Sequence, residues 1–196
     1  MATMDEIKAL RDMTGISVMQ CKKALEEAQG DQEKALLILR KKGAESASKK
    51  ADRELRAGVV SAYVHNNHAL GTMIELSCET DFVAKNDEYK ALAYDIAMHA
   101  TAMHPRYIGE KDITDEDRAK VLDLFRKEVE ESGKPADIQE KMLKGKVDTY
   151  FGEQTLLAQL FVKDDSRTVK EVIDAATQKF GERIEVRRIV RFAVSE

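Results

Sequence analysis

The chain has 196 residues, of which 43% are hydrophobic and 35% are charged, and its formal net charge is −4 at pH 7. This composition is typical of one globular domain or two small ones and excludes a wholly disordered chain. The acidic balance excludes a general electrostatic attraction to nucleic acid or anionic lipid, and no run approaches the roughly 20 apolar residues that span a bilayer. Residues 1–6 lack the apolar stretch of a secretory signal, so we expect a cytoplasmic protein without membrane or direct nucleic-acid contacts.

Residues 3–43 are predicted to form three short helices, because three capping signals precede apolar residues and a glycine follows each run. The expected N-caps are Thr3, Ser17 and Asp31, and the expected ends are Gly15, Gly30 and Gly43. The following residues, 44–57, are polar and rich in alanine, and they contain neither proline nor glycine. This composition predicts an exposed linker helix between the three-helix segment and the rest of the chain.

From residue 58 the hydrophobic pattern changes to a period of two, which predicts a β-hairpin. Its strands cover residues 60–65 and 70–79, and the intervening Asn-Asn-His is a turn signal. A long helix is predicted next, because apolar residues then recur at helical spacing. Asn86 is its expected N-cap, and Pro105 is expected to end it.

Charged helices are predicted at about residues 115–131 and 135–151, followed by a helix that Thr168 caps and Gly181 ends. The chain then finishes in a strand, in which strict alternation places four apolar side chains on one face: Val186, Val190, Phe192 and Val194. Because strands and helices do not alternate as βαβ units, we expect an α+β fold in which helices cover one face of an antiparallel sheet.

These elements divide the chain into three expected parts. They are a three-helix domain at residues 1–43, a linker helix at 44–57 and an α+β core domain at 58–196. A bundle of about 40 residues is near the lower limit for independent folding, whereas the core segment is long enough to bury a sizeable apolar centre.

The sequence contains no pattern that indicates catalysis, and we expect no catalytic residue, metal or cofactor. Both glycine-rich phosphate-binding motifs are absent, which argues against nucleotide binding by the chain itself. His65 and His68 lie in the expected turn without a third ligand nearby, and no serine or cysteine has an identifiable base. Cys21 and Cys78 are far apart in the sequence and are predicted to be reduced core residues.

The second predicted helix has one apolar residue on its charged face. Helical spacing places four side chains on a buried face: Val18, Cys21, Leu25 and Ala28. Met19 lies about 100° away from that face, beside Lys22 and Lys23. A single exposed apolar residue is common, but a flexible methionine also suits an adaptable partner contact, and periodicity alone favours the first interpretation.

Residues 79–86 join the end of the second strand to the start of the long helix. Phe82 lies in this junction between Asp81 and Lys85. One interpretation is that Phe82 fills the space between strand and helix. The other is that the junction projects Phe82 toward a partner, as loops on rigid scaffolds commonly do. The residues alone favour the first interpretation.

Several motifs, in the same order, resemble the elongation factor Ts family. Residues 11–15 (Arg-Asp-Met-Thr-Gly) and 19–25 (Met-Gln-Cys-Lys-Lys-Ala-Leu) resemble its N-terminal domain, which has a ubiquitin-associated-like three-helix fold. Residues 78–86 (Cys-Glu-Thr-Asp-Phe-Val-Ala-Lys-Asn) resemble the family signature almost letter for letter. The resemblance extends from about residue 5 to the C-terminus, and three further segments fit the family: 132–135, 140–142 and 159–162.

Longer members of that family have two core halves and an inserted antiparallel coiled coil. Here the first strand pair and its helix run directly into residues 97–99, with no second sheet half before them. The chain is therefore similar to the short, Thermus-like form, in which two chains pair to complete the core. This resemblance, together with the apolar last strand, predicts a homodimer that binds two copies of its partner.

The resemblance implies a guanine-nucleotide exchange factor for the GTPase elongation factor Tu, which promotes GDP release by displacing Mg²⁺ during translation elongation. Partner-binding residues for this displacement are expected at Thr80, Asp81, Phe82 and Val83. Partner-binding residues of the N-terminal domain are expected at Arg11, Val18 and Met19. Many longer members have a methionine at the position of Val18.

Three alternatives to an exchange factor stay open. The first is a ubiquitin-associated-like adaptor, although such an adaptor does not need the motif at residues 79–86. The second is an RNA- or ribosome-binding module that uses the basic side chains of the linker: Lys49, Lys50, Arg53 and Arg56. Asp52 and Glu54 are interspersed among them, which favours a solvated helix. An enzyme is the third.

Overall fold

The computed structural model describes residues 2–194, and this part of the chain contains eight α-helices and five β-strands. The helices are α1 (Met4–Thr14), α2 (Val18–Glu27), α3 (Gln32–Lys49), α4 (Asp81–Ala84), α5 (Asp87–Met103), α6 (Asp115–Glu130), α7 (Ala136–Gln154) and α8 (Val169–Phe180). The strands are β1 (Ala57–Val64), β2 (Leu70–Cys78), β3 (Leu160–Phe161), β4 (Asp164–Thr168) and β5 (Glu185–Ala193). Helices come first and the sheets are antiparallel, which confirms the predicted α+β class.

The first three helices pack around a small apolar core of their own. The predicted caps are present, since Thr3 forms a capping box with Glu6 and Asp31 accepts a hydrogen bond from the Lys34 amide at 3.0 Å. The buried side chains include Ile7, Leu10, Ile16, Cys21, Ala24, Leu25, Ala35 and Leu39. We call this unit, residues 2–49, the bundle.

The sequence predicted that the third helix ends at Gly43, but it does not. It continues to Lys49, so residues 44–49 of the expected linker helix are helical but belong to α3, and residues 50–56 are not helical. Gly43 lies against α8, where an added Cβ would be 3.3 Å from the Gln178 Oε1 and 3.5 Å from the Asp174 carbonyl oxygen. The glycine therefore permits close packing of α3 on α8 and does not end a helix. The boundaries of the three domains stay a prediction.

A three-stranded sheet with the order β1-β2-β5 forms the centre of the core, and the predicted hairpin of β1 and β2 is confirmed. Helix α5 begins after Asn86, whose side chain accepts from the Glu88 amide, and it lies across one face of the sheet. The apolar cluster between them and α8 includes Ile74, Leu76, Tyr89, Ala93, Ile96, Val172, Ile173 and Val186. Helices therefore cover one face of this sheet, as expected.

The opposite face of the sheet is open and apolar. Its large exposed apolar side chains are Val60, Val64, Met73, Val190 and Phe192. Strict alternation had placed Val186 with Val190, but Val186 is buried on the covered face. The cause is a bulge, because Leu76 pairs with Val186 whereas Glu75 pairs with Arg188, which leaves Arg187 as an extra residue.

The two charged helices predicted in the middle of the sequence form a helical hairpin. Helix α6 starts at the Thr114 cap, and Gly133, with φ +64°, lies in the turn before α7. Aromatic rings line the seam between them, including Phe125, Tyr150 and Phe151. The short β3–β4 hairpin was not predicted, because its two strands have only two and five residues. None of the helices described in residues 2–194 is long and apolar enough to cross a membrane.

Candidate functional site

A single exposed aromatic ring marks the junction between β2 and α5. We call residues 79–86 the tip. Phe82 is 82% exposed and lies on α4, a helix of one turn. The structure therefore contradicts the interpretation in which Phe82 fills the space between strand and helix. An exposed ring on a short, anchored helix is suited to insertion into a partner.

Buried side chains anchor the same helical turn to the core. Val83 is 4% exposed and Ala84 is also buried, and both belong to the main apolar cluster. Val83 was predicted to contact the partner, but it has almost no surface for a partner to reach. The physical reason is the period of the helix, which points Phe82 outward and Val83 inward. Val83 holds the tip in place.

An exposed ion pair lies on the same helical turn as the exposed ring. The Lys85 Nζ lies 2.6 Å from the Asp81 Oδ2, and both side chains are exposed. The hydrogen bond and positive charge of Lys85 lower the pKa of the Asp81 carboxyl below its ordinary value. At neutral pH the tip therefore presents an apolar ring beside a carboxylate and an ammonium group.

Two neutral polar groups, those of Cys78 and Tyr89, are buried beneath the tip. The Tyr89 hydroxyl donates to the Leu76 carbonyl oxygen at 2.9 Å, and the Cys78 Sγ donates to the Thr80 carbonyl oxygen at 3.2 Å. Burial raises the pKa of both the Cys78 thiol and the Tyr89 hydroxyl, so both stay protonated. A buried, protonated thiol is a poor nucleophile, and this geometry favours binding over covalent chemistry.

The structure also shows how the predicted residue Thr80 is held. Its amide and its Oγ1 both donate to the Glu182 carboxylate, at 3.0 Å and 2.6 Å. Glu79 and Glu182 were not identified as site residues from the sequence. Glu182 lies more than a hundred residues from Glu79 and Thr80 in the sequence, and no local pattern joins the two segments.

The predicted contact residues of the bundle are exposed. Met19 is 62% exposed, and the Arg11 side chain is also accessible. Val18 is 42% exposed, so its predicted place on the buried face of α2 was wrong. It is the first residue of the helix, and the buried run begins one turn later at Cys21.

The bundle and the first turn of α5, which follows the tip, contact the same helix of the core. Arg40 of α3 donates to the carbonyl oxygen and the Oγ of Ser166, each at 3.2 Å, next to the packing of Gly43 on α8. On α8, the Lys179 Nζ lies 2.9 Å from a carboxylate oxygen of Glu88, in the first turn of α5 after the tip. One helix therefore links the supports of the two candidate contact regions.

Neither region resembles a metal centre. Across residues 2–194, no group of three or more His, Cys, Asp or Glu side chains is placed to hold an ion. His65 and His68 lie in the turn between β1 and β2, where the Tyr63 hydroxyl lies 3.2 Å from the His65 Nδ1.

Comparisons with known proteins identify the family. The sequence model of the family described as Elongation factor TS matches residues 45–196. Elongation factor Ts of Pseudothermotoga lettingae is 46% identical over 194 residues, which cover 99% of this chain and 98% of that protein. Elongation factor Ts of Carboxydothermus hydrogenoformans is 45% identical over 196 residues, covering 100% of this chain and 90% of that protein. The chain therefore belongs to the elongation factor Ts family of translation elongation factors.

Proposed function

We propose that this chain is a guanine-nucleotide exchange factor for elongation factor Tu, and not an enzyme, acting in the cytoplasm during translation elongation. The observation that carries this proposal is the exposure of Phe82 on an anchored turn, within the motif that resembles the family signature. A buried Phe82 would have been unable to reach a partner without unfolding the tip. The family membership of the chain gives the partner.

In the proposed mechanism, the tip enters the GTPase domain of elongation factor Tu. The Phe82 ring separates elements of that domain, and Thr80 and Asp81 contact the surface beside it. This movement displaces the groups that hold Mg²⁺ at the nucleotide. Losing the cation removes much of the charge compensation of the GDP phosphates, so GDP dissociates faster. Linkage requires that bound nucleotide lowers the affinity of elongation factor Tu for this chain by the same ratio.

The bundle supplies a second contact in this proposal. Arg11, Val18 and Met19 dock on another part of the same GTPase domain, and all three are accessible. Because α8 links the supports of the bundle and the tip, binding of one region raises the effective concentration of the other. The tip then acts on the nucleotide, while the bundle mainly adds affinity.

We also propose a homodimer that forms through the open face of the sheet and binds two copies of elongation factor Tu. Phe192 is 70% exposed there and Val190 is 49% exposed. Exposed apolar patches of this kind mark interfaces, and two such sheets can pack face to face. The Arg188 Nε lies 2.6 Å from the Glu75 Oε2 on the same face, so a polar pair would lie within the interface.

The alternatives have less support. The basic side chains proposed for RNA binding are partly engaged, since Arg53 pairs with Glu79 and Arg56 pairs with Glu54. An adaptor would use the bundle alone and would leave the exposed Phe82 without a role. The buried, protonated Cys78 and Tyr89 argue against an enzyme at the tip.

Stopped-flow fluorescence tests the proposed function directly. A fluorescent GDP analogue is loaded on elongation factor Tu, and its release is followed with and without this chain. We expect the chain to accelerate release at substoichiometric concentration. A pull-down from bacterial lysate tests the partner, and recovery of RNA or a ubiquitin-like protein without the GTPase would contradict the proposal.

Light scattering tests the dimer. At micromolar concentration we expect a mass near twice 22.1 kDa, and Val190→Lys should shift it to a single chain mass. A wild-type chain that stays monomeric on concentrating, with full exchange activity, would contradict the two-plus-two arrangement.

A further inference from the structure

We propose that Glu182 is a positioning residue, which fixes the tip in the orientation that exposes Phe82. This inference rests on the proposed function, since it assigns the group that keeps the exchange element ready for the partner. Glu182 belongs to the loop between α8 and β5, outside the motif that resembles the family signature.

One carboxylate makes three hydrogen bonds to the start of the tip. The Glu182 Oε2 accepts from the Glu79 amide at 3.1 Å and from the Thr80 amide at 3.0 Å. Its Oε1 accepts from the Thr80 Oγ1 at 2.6 Å. Hydrogen bonds to an ionised acceptor are stronger than neutral ones, and two consecutive amides define the direction of the backbone.

The contact is reciprocal, which couples the two segments. The Glu79 Oε1 accepts from the Arg183 amide at 2.6 Å and from the Arg53 guanidinium at 3.2 Å. The Arg183 guanidinium in turn donates to the Arg53 carbonyl oxygen at 2.6 Å. Each segment therefore holds the backbone of the other through a carboxylate, and the segment before β1 closes the network.

The tip needs this support because α4 cannot hold its own shape. A helix of one turn is far below the length at which an isolated helix is stable. Thr80 occupies the N-cap position of α4 but makes no capping bond to it, and its hydroxyl donates to Glu182. Gly181 adopts φ +75° at the end of α8, and this left-handed turn leads the chain into Glu182.

Without the carboxylate, the three donors at the base of the tip would form hydrogen bonds with water instead. The buried Val83 and Ala84 would still anchor the turn, but the approach of the chain to Phe82 would vary. The partner would then have to order the tip during binding, which weakens the interaction without removing any contact residue.

Two substitutions at one position separate positioning from charge. Glu182→Ala should lower kcat/KM for GDP release about tenfold, since the bonds that orient the tip are lost. Glu182→Gln should keep kcat/KM close to the wild-type value. Its carbonyl oxygen can accept from both amides, and its amide group can donate to the Thr80 Oγ1.

Glu171→Ala is the matched control at the other end of α8. The Glu171 carboxylate also accepts a hydrogen bond from a backbone amide, that of Thr168 at 2.8 Å, but it lies in the first turn of α8, at the end opposite Glu182. We expect this control to lower the melting temperature without lowering kcat/KM. If both alanine variants lower kcat/KM equally, the effect is general destabilisation and the positioning role is overturned.

A double variant tests whether Glu182 acts through Phe82. In the Phe82→Ala background, Glu182→Ala should cause little further loss, because the group that it positions is gone. Multiplicative losses would overturn the proposal, as would a Glu182→Ala variant with the wild-type rate beside an impaired Phe82→Ala. If Phe82→Ala itself retains the wild-type rate, the proposed function fails and this inference fails with it.

Discussion

The tip and the bundle each include an exposed apolar side chain that we propose as a partner contact, but the supports of these two side chains differ. Phe82 lies on a single turn that is held to the core by buried neighbours and by one carboxylate distant in the sequence, that of Glu182. Met19 lies on a ten-residue helix with its own apolar core, docked through α3. A short element fixed to a large core can displace elements of a partner without moving itself, whereas a separate small domain is better suited to add affinity. The two regions should therefore affect different kinetic constants.

The largest expected effect comes from the tip. Phe82→Ala should lower the maximal rate of GDP release by about a hundredfold, which corresponds to roughly 2.7 kcal/mol of lost transition-state stabilisation. The melting temperature should change little, because the ring is mostly exposed. Leu124→Ala on α6 is the matched control, since Leu124 is also a large exposed apolar residue. A collapse of the melting temperature in Phe82→Ala would refute the exposed role of the ring.

The next effect separates the bundle from the tip. Met19→Lys should raise the half-saturating concentration about tenfold and leave the maximal rate unchanged, because uniform binding energy is lost. Leu37→Lys is the control, since Leu37 is exposed on α3 of the same bundle. The concentration dependence of stopped-flow GDP release gives both constants. A lowered maximal rate with an unchanged half-saturating concentration would reverse the assigned roles.

A smaller effect should follow from undocking the bundle. Gly43→Leu places a side chain against Asp174 and Gln178 of α8, so α3 cannot pack closely. We expect the half-saturating concentration to rise several-fold and the radius of gyration in small-angle scattering to increase. Gly145→Leu is the control, because an added Cβ there meets no atom within 4 Å. Unchanged scattering and affinity in Gly43→Leu would show that the docking is dispensable.

The smallest expected effect is a pH dependence of the free energy of unfolding, which we expect for the core and not for the bundle. His99 is fully buried in the core, where its Nε2 lies 2.9 Å from the Gln159 Oε1 and its Nδ1 accepts from the Val162 amide at 3.2 Å. Burial lowers the pKa of His99 below its ordinary value. The unfolded chain therefore binds a proton that the folded chain does not, and stability falls as the pH drops through about 6.5.

Urea unfolding at pH 7.0 and 5.5 measures this loss. We expect the free energy of unfolding of the core to fall by about 1 kcal/mol, whereas the bundle, which contains no histidine, should not contribute to it. His99→Gln should remove the dependence, and the exposed His65→Gln should retain it. An unchanged dependence in His99→Gln would assign it to other groups.

Local patterns predicted the elements that have clear signals. Capping boxes at Thr3 and Thr168, the turn between β1 and β2, and the left-handed Gly181 are all found where the sequence placed them. Periodicity identified α5 because a long helix against a sheet must have an apolar stripe. The resemblance to a family identified the tip before its exposure was visible.

The errors arose where distant segments decide the outcome. Gly43 looked like a helix end, but its small size serves the packing of α3 on α8. The bulge at Arg187 reverses the faces of β5, and it depends on the pairing with β2. Period-3.6 spacing does not show where a helix starts to pack, which is why Val18 was misplaced. Glu182 was missed because its partners are more than a hundred residues away.

In the proposed mechanism Phe82 acts on the nucleotide through Mg²⁺, so GDP release is compared in the presence and in the absence of that ion. In Mg²⁺ buffer, saturating wild-type chain should release GDP about a hundredfold faster than saturating Phe82→Ala. In EDTA the cation is already gone, so the two chains should give nearly equal rates. If Phe82→Ala stays equally impaired in EDTA, the ring acts on the nucleotide by another route and the proposed Mg²⁺ mechanism is wrong.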